Sequence, residues 1–233
     1  MPTNRRLNRI ASSIHRRQMD VLLALEGVHD PHNLSAILRT ADATGIPRII
    51  WQPESENPEP PNHEIAMGTE RWVAMEIVSD LKQRLIALKK EGFAIAATHL
   101  GKTSVDFRSV DWTRPWIVVL GNEHRGCTEG VLEITDTNVT LPMLGFVQSL
   151  NVSVAGAVLM YEIQRQREIA GFFSRTQPPE IVHNLFVAWK LEMQGISEAD
   201  LLALPGSLPI DDPTPHKDGR QRGKRPKKAP ARD

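Results

Sequence analysis

The 233-residue sequence lacks the features that would mark a secreted, disulfide-bonded or membrane protein. Cys127 is its only cysteine, which excludes an internal disulfide and a metal site built from several thiolates. No apolar run approaches the roughly 18 residues that cross a bilayer. The basic N-terminus is not followed by an apolar stretch of signal-peptide length. We therefore expect a cytoplasmic protein without a membrane segment.

Common nucleotide-binding and metal-binding patterns are also missing. No Gly-x-Gly-x-x-Gly follows the first apolar run, and the complete phosphate-loop pattern Gly-x-x-x-x-Gly-Lys-Ser/Thr is absent, which argues against dinucleotide binding and nucleotide hydrolysis. His29 and His32 are separated by Pro31 and no third ligand is in view, so we expect no metal. Cys127 lies near a predicted helix start, but nothing around it marks a nucleophile, and we interpret it as a plain small residue.

The formal net charge of zero hides a strong separation of charge along the chain. Residues 1–20 carry five arginines and one aspartate, and residues 217–233 carry eight Lys or Arg and two Asp. The residues between them therefore carry a net charge of −10. Basic ends on an acidic body are typical of a protein that contacts a polyanion through its termini, although charged tails can also serve solubility alone. Nucleic acid is the partner that this pattern favours.

Hydrophobic patterning predicts an α/β domain between two extensions. Val21–Leu25 and Trp116–Leu120 are continuous apolar runs, as expected for strands buried on both faces of a parallel sheet. Strand-like and helix-like segments alternate between and around these runs, which predicts a mostly parallel sheet with helices on both faces. We expect a basic helical extension in residues 1–20, a C-terminal helical extension in residues 176–204, and a disordered basic tail in residues 205–233.

The predicted N-terminal helix, residues 5–19, has one apolar stripe. Leu7, Ile10 and Ile14 form that stripe at helical spacing. The helix also carries arginines that lie off the stripe and are expected to face solvent or a ligand: Arg6, Arg9, Arg16 and Arg17.

Polar residues cluster where predicted strands end and helices begin, in residues 33–40, 121–126 and 148–153. Ligands bind at such junctions in open α/β sheets. Arg39 lies among apolar neighbours near the expected interior, where an unpaired guanidinium is costly. It could form a structural ion pair with Asp42 or Glu123, or hold an anion beside a ligand pocket. Asn33 is expected to cap the first of these helices, and Ser149 and Asn151 could simply cap another.

These segments resemble the three motifs of the SPOUT RNA methyltransferases. The motifs are Asn33 to Asp42 (Asn-x-x-x-x-x-Arg-Thr-Ala-Asp), Gly121 to Gly126 (Gly-Asn-Glu-x-x-Gly) and Leu141 to Ser153 (Leu-Pro-Met-x-Gly-x-x-Gln-Ser-Leu-Asn-Val-Ser). The resemblance covers residues 21–175, is closest to the TrmH-type tRNA (guanosine-18) 2′-O-methyltransferases, and departs from the family at no motif position. We therefore treat residues 21–175 as the SPOUT methyltransferase domain.

The resemblance implies a fold and a cofactor that periodicity does not reveal. Such proteins tie the C-terminal part of the parallel sheet into a deep trefoil knot, which general topology rules would never propose, and they act as homodimers. S-Adenosylmethionine is expected within the knot loops, where Gly121 and Gly145 would allow close approach of the backbone. The residues that the resemblance assigns to the cofactor are Thr98, His99, Leu100, Gly121, Leu141, Met143 and Leu150.

The resemblance also implies a reaction, namely methylation of a ribose 2′-hydroxyl. It places Arg39 at that hydroxyl. Because a guanidinium stays protonated in proteins, we expect Arg39 to act together with the adjacent RNA phosphate in taking up the proton. The residues that would orient the arginine and the ribose are Asn33, Glu123, Ser149 and Asn151.

The flanking extensions favour tRNA as the substrate, with guanosine 18 of the D-loop as the target. The alternatives are the same reaction on ribosomal RNA or on the anticodon loop of tRNA, or a non-catalytic RNA-binding protein. The arginines expected to contact RNA are Arg6, Arg9, Arg16, Arg17, Arg165, Arg167 and Arg175. Arg165 and Arg167 are about 200° apart around a helix, so they cannot both face one phosphate. We expect the tail from Lys217 to Arg232 to add salt-sensitive affinity.

Overall fold

A wholly parallel seven-stranded sheet forms the centre of the protein, in a computed structural model that describes residues 3–206. Its strands are β1 (Val21–Glu26), β2 (Arg48–Gln52), β3 (Ala74–Ile77), β4 (Ala94–Thr98), β5 (Val105–Asp106), β6 (Trp116–Leu120) and β7 (Thr137–Thr140). They lie in the order β3-β2-β1-β6-β4-β7-β5. The predicted parallel sheet is confirmed. The two-residue β5 was not predicted, because so short a strand leaves no pattern.

Helices cover both faces of the sheet, as predicted. The α-helices of residues 3–206 are α1 (Asn4–His15), α2 (Pro31–Thr44), α3 (His63–Ala66), α4 (Leu81–Lys90), α5 (Glu129–Leu132), α6 (Val152–Ile169), α7 (Pro179–Ala188) and α8 (Glu198–Leu202). Side chains alternate along β1, so Leu23 packs in a core with α2 and α6, while Leu22 packs in a second core with α4 and α5. Burial on both faces explains the continuous apolar runs.

Helix α2 begins two residues before the predicted cap. Asp30 is the N-cap, and its side chain accepts a hydrogen bond from the backbone N of His32 at 2.9 Å. Pro31 occupies the first turn, where a missing N–H costs nothing. The prediction that Asn33 caps the helix is therefore wrong, and the Asn33 amide is left free for other partners. The helix ends at Gly45, which is its C-cap and has a φ of 80°.

The two extensions pack against each other at one end of the sheet. Ile14 of α1 is buried with Val182 of α7 and Leu201 of α8, and the rings of Trp72 and Trp189 meet edge to face at 5.1 Å. The C-terminal extension consists of α7, which ends at Ala188, a 3-10 turn and α8. The predicted basic tail lies, from residue 207 onward, outside the described residues.

The assignment of Arg17 to RNA contact is wrong. Helix α1 ends at His15, so the chain turns inward before Arg17 instead of continuing as a helix to residue 19. The Arg17 guanidinium is buried, forms an ion pair with Asp42 and stacks 5.1 Å from the centre of the Trp189 ring. It joins α2 to α7. Arg6 and Arg9 are exposed as expected, whereas the half-buried Arg16 bonds to Ser12.

The two arginines near the end of α6 diverge as their angular separation predicts, but Arg167 does not reach RNA. Its side chain is 1% exposed and forms an ion pair with Asp20. The same guanidinium donates to the carbonyl oxygens of Trp112 and Arg114, at 3.1 and 3.2 Å. The expected RNA contact of Arg167 is therefore wrong, because this face of α6 packs on the domain.

Arg165 and Arg175 remain accessible. The Arg165 side chain is 57% exposed and pairs with Glu162 on the same helix. Arg175 is exposed, and its guanidinium stacks 4.0 Å from the centre of the Phe172 ring. Arg167 also stacks on this ring. Each guanidinium is therefore accessible to an RNA phosphate, whether or not it keeps its contact with Glu162 or Phe172.

We expect Arg167→Gln and Arg165→Gln to have opposite signatures. Arg167→Gln removes one partner of a buried pair and should lower the free energy of unfolding by about 3 kcal/mol. Arg165→Gln alters an exposed pair and should change that energy by less than about 0.5 kcal/mol while weakening RNA binding. Urea denaturation and fluorescence anisotropy with labelled RNA measure the two quantities. Equal destabilisation by both substitutions would contradict the assignment.

Candidate active site

The carboxyl ends of four neighbouring strands, β1, β6, β4 and β7, meet at one edge of the sheet. The loops beyond β4, β6 and β7 surround a cavity of about 420 Å³ there. This is the edge at which open α/β sheets bind ligands. The structure brings all the expected cofactor residues to this one cavity: Thr98, His99, Leu100, Gly121, Leu141, Met143 and Leu150.

The loop after β4 forms one wall and is held at both ends. Thr98 donates its hydroxyl to the carbonyl of Val119 at 3.2 Å, and the backbone N of His99 donates to the carbonyl of Val139 at 3.1 Å. The Ser104 hydroxyl donates to the His99 carbonyl at 2.8 Å and so closes the loop. Ser104 was not singled out from the sequence, since a serine in a polar loop carries no distinctive pattern.

The loop after β6, residues 121–126, is a rigid turn. Asn122 and Gly126 exchange two backbone hydrogen bonds, at 3.1 and 2.9 Å. The Asn122 side chain donates to the Gly27 carbonyl at 2.8 Å and accepts from the backbone N of His124 at 2.9 Å. A Cβ on Gly121 would lie 2.2 Å from the carbonyl carbon of Gly126. Gly121 is therefore required by the loop itself, before any ligand binds.

A chain of hydrogen bonds joins the three motif segments. Asn151 donates its side-chain amide to Asn33 Oδ1 at 3.0 Å, and Asn33 in turn donates to Glu123 Oε1 at 3.0 Å. Asn151 Oδ1 accepts from the backbone N and the hydroxyl of Ser153, at 2.9 and 2.6 Å. Asn151 thus caps α6, as the simpler interpretation held, and also orients Asn33. Ser149 lines the cavity beside it.

The second oxygen of Glu123 is available for a ligand or for His29. Glu123 Oε2 is buried without a hydrogen bond and lies 3.3 Å from His29 Nδ1. The His29 side chain is 51% exposed, and its ring centre is 6.2 Å from that of His124. Sequence reasoning considered His29 only as a metal ligand. Its position just after β1, at the same sheet edge as Glu123, is the signal that could have revealed it.

Arg39 differs from its sequence-based description. It is exposed on α2, not near the interior, and both expected partners are occupied elsewhere. Asp42 pairs with Arg17, and Glu123 accepts from Asn33. Within residues 3–206 Arg39 has no ion-pair partner, so the structural ion-pair interpretation is wrong. Its guanidinium is accessible to an anion, which the alternative interpretation requires.

Cys127 lies buried behind the 121–126 loop, with Sγ 3.7 Å from the Thr98 carbonyl oxygen. Burial, together with the negative charge of Glu26, raises the pKa of its thiol from 9.0 to about 12. Glu26 itself accepts from the backbone N and the hydroxyl of Thr128, at 2.9 and 2.6 Å. A thiol in this state is a poor nucleophile, as the sequence interpretation of Cys127 holds.

We expect Cys127 to make folding stability depend on pH above about 9. The thiol is neutral in both states at lower pH, but the unfolded state ionises first as the pH rises towards the folded pKa of about 12. Stability should therefore fall with pH in this window, by up to about 1.4 kcal/mol per pH unit. Urea denaturation of wild type and Cys127→Ala at pH 8 and 10 isolates this contribution. The same pH dependence in both proteins would contradict it.

In residues 3–206 no helix is long and apolar enough to cross a membrane. No group of three or more His, Cys, Asp or Glu side chains is placed there to hold a metal ion.

Comparison with known proteins shows the family of the chain. Residues 20–161 match the SpoU rRNA Methylase family. A tRNA (guanosine(18)-2′-O)-methyltransferase from Aquifex aeolicus is 39% identical over 81% of this chain and 90% of its own length. An enzyme of the same name from Thermus thermophilus is 42% identical over 80% of this chain and 96% of its own length.

Solved structures extend the likeness. The Aquifex aeolicus TrmH/SpoU tRNA modifying enzyme has a TM-score of 0.74 at 39% identity, covering 81% of this chain and 96% of that chain. An AdoMet-bound rRNA methyltransferase from Sinorhizobium meliloti has a TM-score of 0.57 at 29% identity, covering 66% and 59%. With a family match across more than half of its length and relatives of this identity, the chain belongs to the SpoU rRNA Methylase family.

Proposed function

We propose that this protein transfers a methyl group from S-adenosylmethionine to the ribose 2′-oxygen of guanosine 18 in the D-loop of tRNA. The observation that carries the proposal is the hydrogen-bonded chain Asn151–Asn33–Glu123, which borders the cavity of the expected cofactor residues. It joins the part of the site that would hold the ribose, which accepts the methyl group, to the part that would hold the cofactor. Relatives near 40% identity that bear this enzyme name support the choice of tRNA.

The cavity fits S-adenosylmethionine by size and chemistry. Its volume of about 420 Å³ is in the range of small-molecule sites. Leu100, Leu141 and Leu150 offer apolar surface for the adenine, and the flanking backbone offers hydrogen-bonding groups. These residues would hold the cofactor, which supplies an electrophilic methyl group when bound.

The protein's own residues would then prepare the ribose. A 2′-hydroxyl is a weak nucleophile, so it must be positioned and relieved of its proton. Glu123 and Asn33 are fixed by their mutual hydrogen bond and can hold the ribose, with Ser149 and Asn151 beside them. Arg39 is accessible to bind the adjacent phosphate, so that a phosphate oxygen takes up the proton while the guanidinium, which is already protonated, holds that phosphate in place.

We also infer that the carboxyl-terminal part of the sheet is knotted. The chain leaves β4, returns as β6 between β1 and β4, and then crosses to β7 on the far side of β4. It next returns over the sheet as α6 to pack against α2. This path supports the deep trefoil knot that the resemblance implies.

A homodimer is part of the same proposal. Helix α6 exposes Val154, Val158 and Tyr161 at i, i+4 and i+7, and residues 141–150 expose Leu144 and Phe146 almost completely. An exposed apolar surface of this kind is typical of an interface. Arg6, Arg9, Arg16, Arg165 and Arg175 remain the proposed RNA contacts. The cytoplasmic location and the absence of a metal stay predictions.

The test is methyl transfer from labelled S-adenosylmethionine to unmodified tRNA, with the modified nucleotide mapped and Arg39→Ala assayed in parallel. We expect label at the 2′-oxygen of guanosine 18 and its loss in the variant. Label on ribosomal RNA or in the anticodon loop would retain the chemistry and change the substrate. Cofactor binding without transfer to any RNA would leave a non-catalytic RNA-binding protein.

A further inference from the structure

Arg125 forms an ion pair at the mouth of the cavity that the mechanism does not use. It lies two residues after Glu123 and lines the cavity, with a side chain that is 64% exposed. Its Nη2 pairs with Oε1 of Glu54, in the loop after β2, whose side chain is 39% exposed. The guanidinium therefore lies at the entrance to the site, in an ion pair with Glu54.

Gly27 makes room for this pair. A Cβ added to Gly27 would lie 3.2 Å from Glu54 Cγ and 3.5 Å from Arg125 Nη2. The pair therefore rests directly on the backbone after β1, at the same sheet edge as the site. Both side chains are brought to the cavity mouth by strands that end there.

The backbone that carries Arg125 is fixed while its side chain is accessible. Asn122 Oδ1 accepts from the backbone N of Arg125 at 3.3 Å, and the Asn122–Gly126 bonds close the turn. A change of partner would therefore involve only the Arg125 side chain. Exposed ion pairs contribute little to stability, so Glu54 is an easily replaced partner.

The chemistry of the group favours a phosphate. A guanidinium presents a planar fork of donors that matches two oxygens of a backbone phosphate. Glu54 pairs with the arginine, and the nearby loop carries Glu123, which His29 approaches, with the His29 and His124 rings 6.2 Å apart. Arg125 is thus placed to meet a polyanion that enters near Glu123.

We propose that Arg125 binds a backbone phosphate of the substrate RNA next to the target nucleotide, and that Glu54 occupies the guanidinium when RNA is absent. The inference rests on the proposed function, because it takes the ribose to lie at Glu123. Glu54 then competes with RNA, so the two members of the pair have opposite effects on RNA affinity.

The experiment compares tRNA affinity, S-adenosylmethionine affinity and salt dependence in wild type, Arg125→Gln and Glu54→Gln. Arg125→Gln should weaken tRNA binding about tenfold and reduce the slope of log affinity against log salt by about one. Glu54→Gln should tighten tRNA binding severalfold. Cofactor affinity should stay unchanged in both. Arg125→Lys should keep the salt slope but lose part of the affinity, since it lacks the fork.

Arg48→Gln is the matched control. Arg48 also forms an exposed pair with a glutamate, Glu76, but at the amino end of β2, away from the site. It should leave tRNA affinity unchanged. Weaker tRNA binding in both Arg125→Gln and Glu54→Gln would make the pair a structural tie and overturn the inference. Unchanged tRNA affinity with reduced cofactor affinity would overturn it as well. If the wild-type protein shows no methyl transfer, that result counts against the proposed function instead. The comparison of tRNA affinities does not depend on turnover.

Discussion

Asn33→Asp is expected to lower kcat for methyl transfer by about 10²- to 10³-fold, with little change in cofactor affinity. The substitution keeps the shape of the side chain but replaces an amide donor, 3.0 Å from Glu123 Oε1, with a carboxylate oxygen. Two carboxylates at this distance in a site where Asn33 is only 8% exposed repel each other strongly. Glu123 would then lose its fixed orientation.

The measurement is single-turnover methyl transfer with calorimetric titration of S-adenosylmethionine. Cofactor affinity should survive, because the loops that line most of the cavity lie on β4, β6 and β7 rather than on α2. Asn57→Asp, in the exposed loop after β2, is the control for the added charge. An Asn33→Asp enzyme with normal kcat would mean that the Asn33–Glu123 bond only supports the fold. The repulsion between the two carboxylates should also lower the free energy of unfolding of Asn33→Asp. Adding Glu123→Gln should recover this free energy, since it removes the repulsion.

Val158→Asp is expected to give a monomer that no longer binds S-adenosylmethionine. Val158 is 39% exposed in the single chain and lies between Val154 and Tyr161 on one face of α6. In the proposed homodimer that face is buried, and a carboxylate there would be desolvated without a partner. The same helix contributes Val152 and Ala155 to the cavity wall, so separation of the subunits should disturb the cofactor site.

Sedimentation velocity and cofactor titration measure the two effects. Ile86→Asp is the matched control, since Ile86 is 36% exposed on α4, on the opposite face of the sheet. It should leave the dimer and the cofactor affinity unchanged. A Val158→Asp protein that remains dimeric would show that subunits associate through another face. A monomer with normal cofactor affinity would show that cofactor binding does not depend on the dimer interface.

The centre of the fold was predictable from the sequence because its strands are buried on both faces. Val21–Leu25 and Trp116–Leu120 contain no polar residue, and burial in two cores requires that. The C-terminal extension was less predictable. A helix such as α7 ends where tertiary contacts end it, and Lys190 adopts a positive φ of 51° just beyond it, which no local pattern indicates.

The site was predictable to the extent that its residues follow strands. Glu123 and Thr98 lie at the carboxyl ends of β6 and β4, where sequence patterning places ligands. The predicted RNA contacts of Arg17 and Arg167 were wrong for the same reason. An arginine beside an apolar stripe can point outward or reach an internal carboxylate, and only the distant partners Asp42 and Asp20 decide between these. Sequence spacing contains no information about such partners.

The Asn151–Asn33–Glu123 chain joins residues that are synthesised at different times, because they lie far apart in the sequence. Its two hydrogen bonds join residues that are 118 and 90 positions apart. Asn151 also opens the last helix of the domain, so the network cannot close until α6 has emerged from the ribosome and folded back on α2. A nascent chain that ends before α6 would hold Asn33 and Glu123 without their third member. Methyl transfer is therefore expected to begin only after the whole domain has been synthesised, however early its first strands fold.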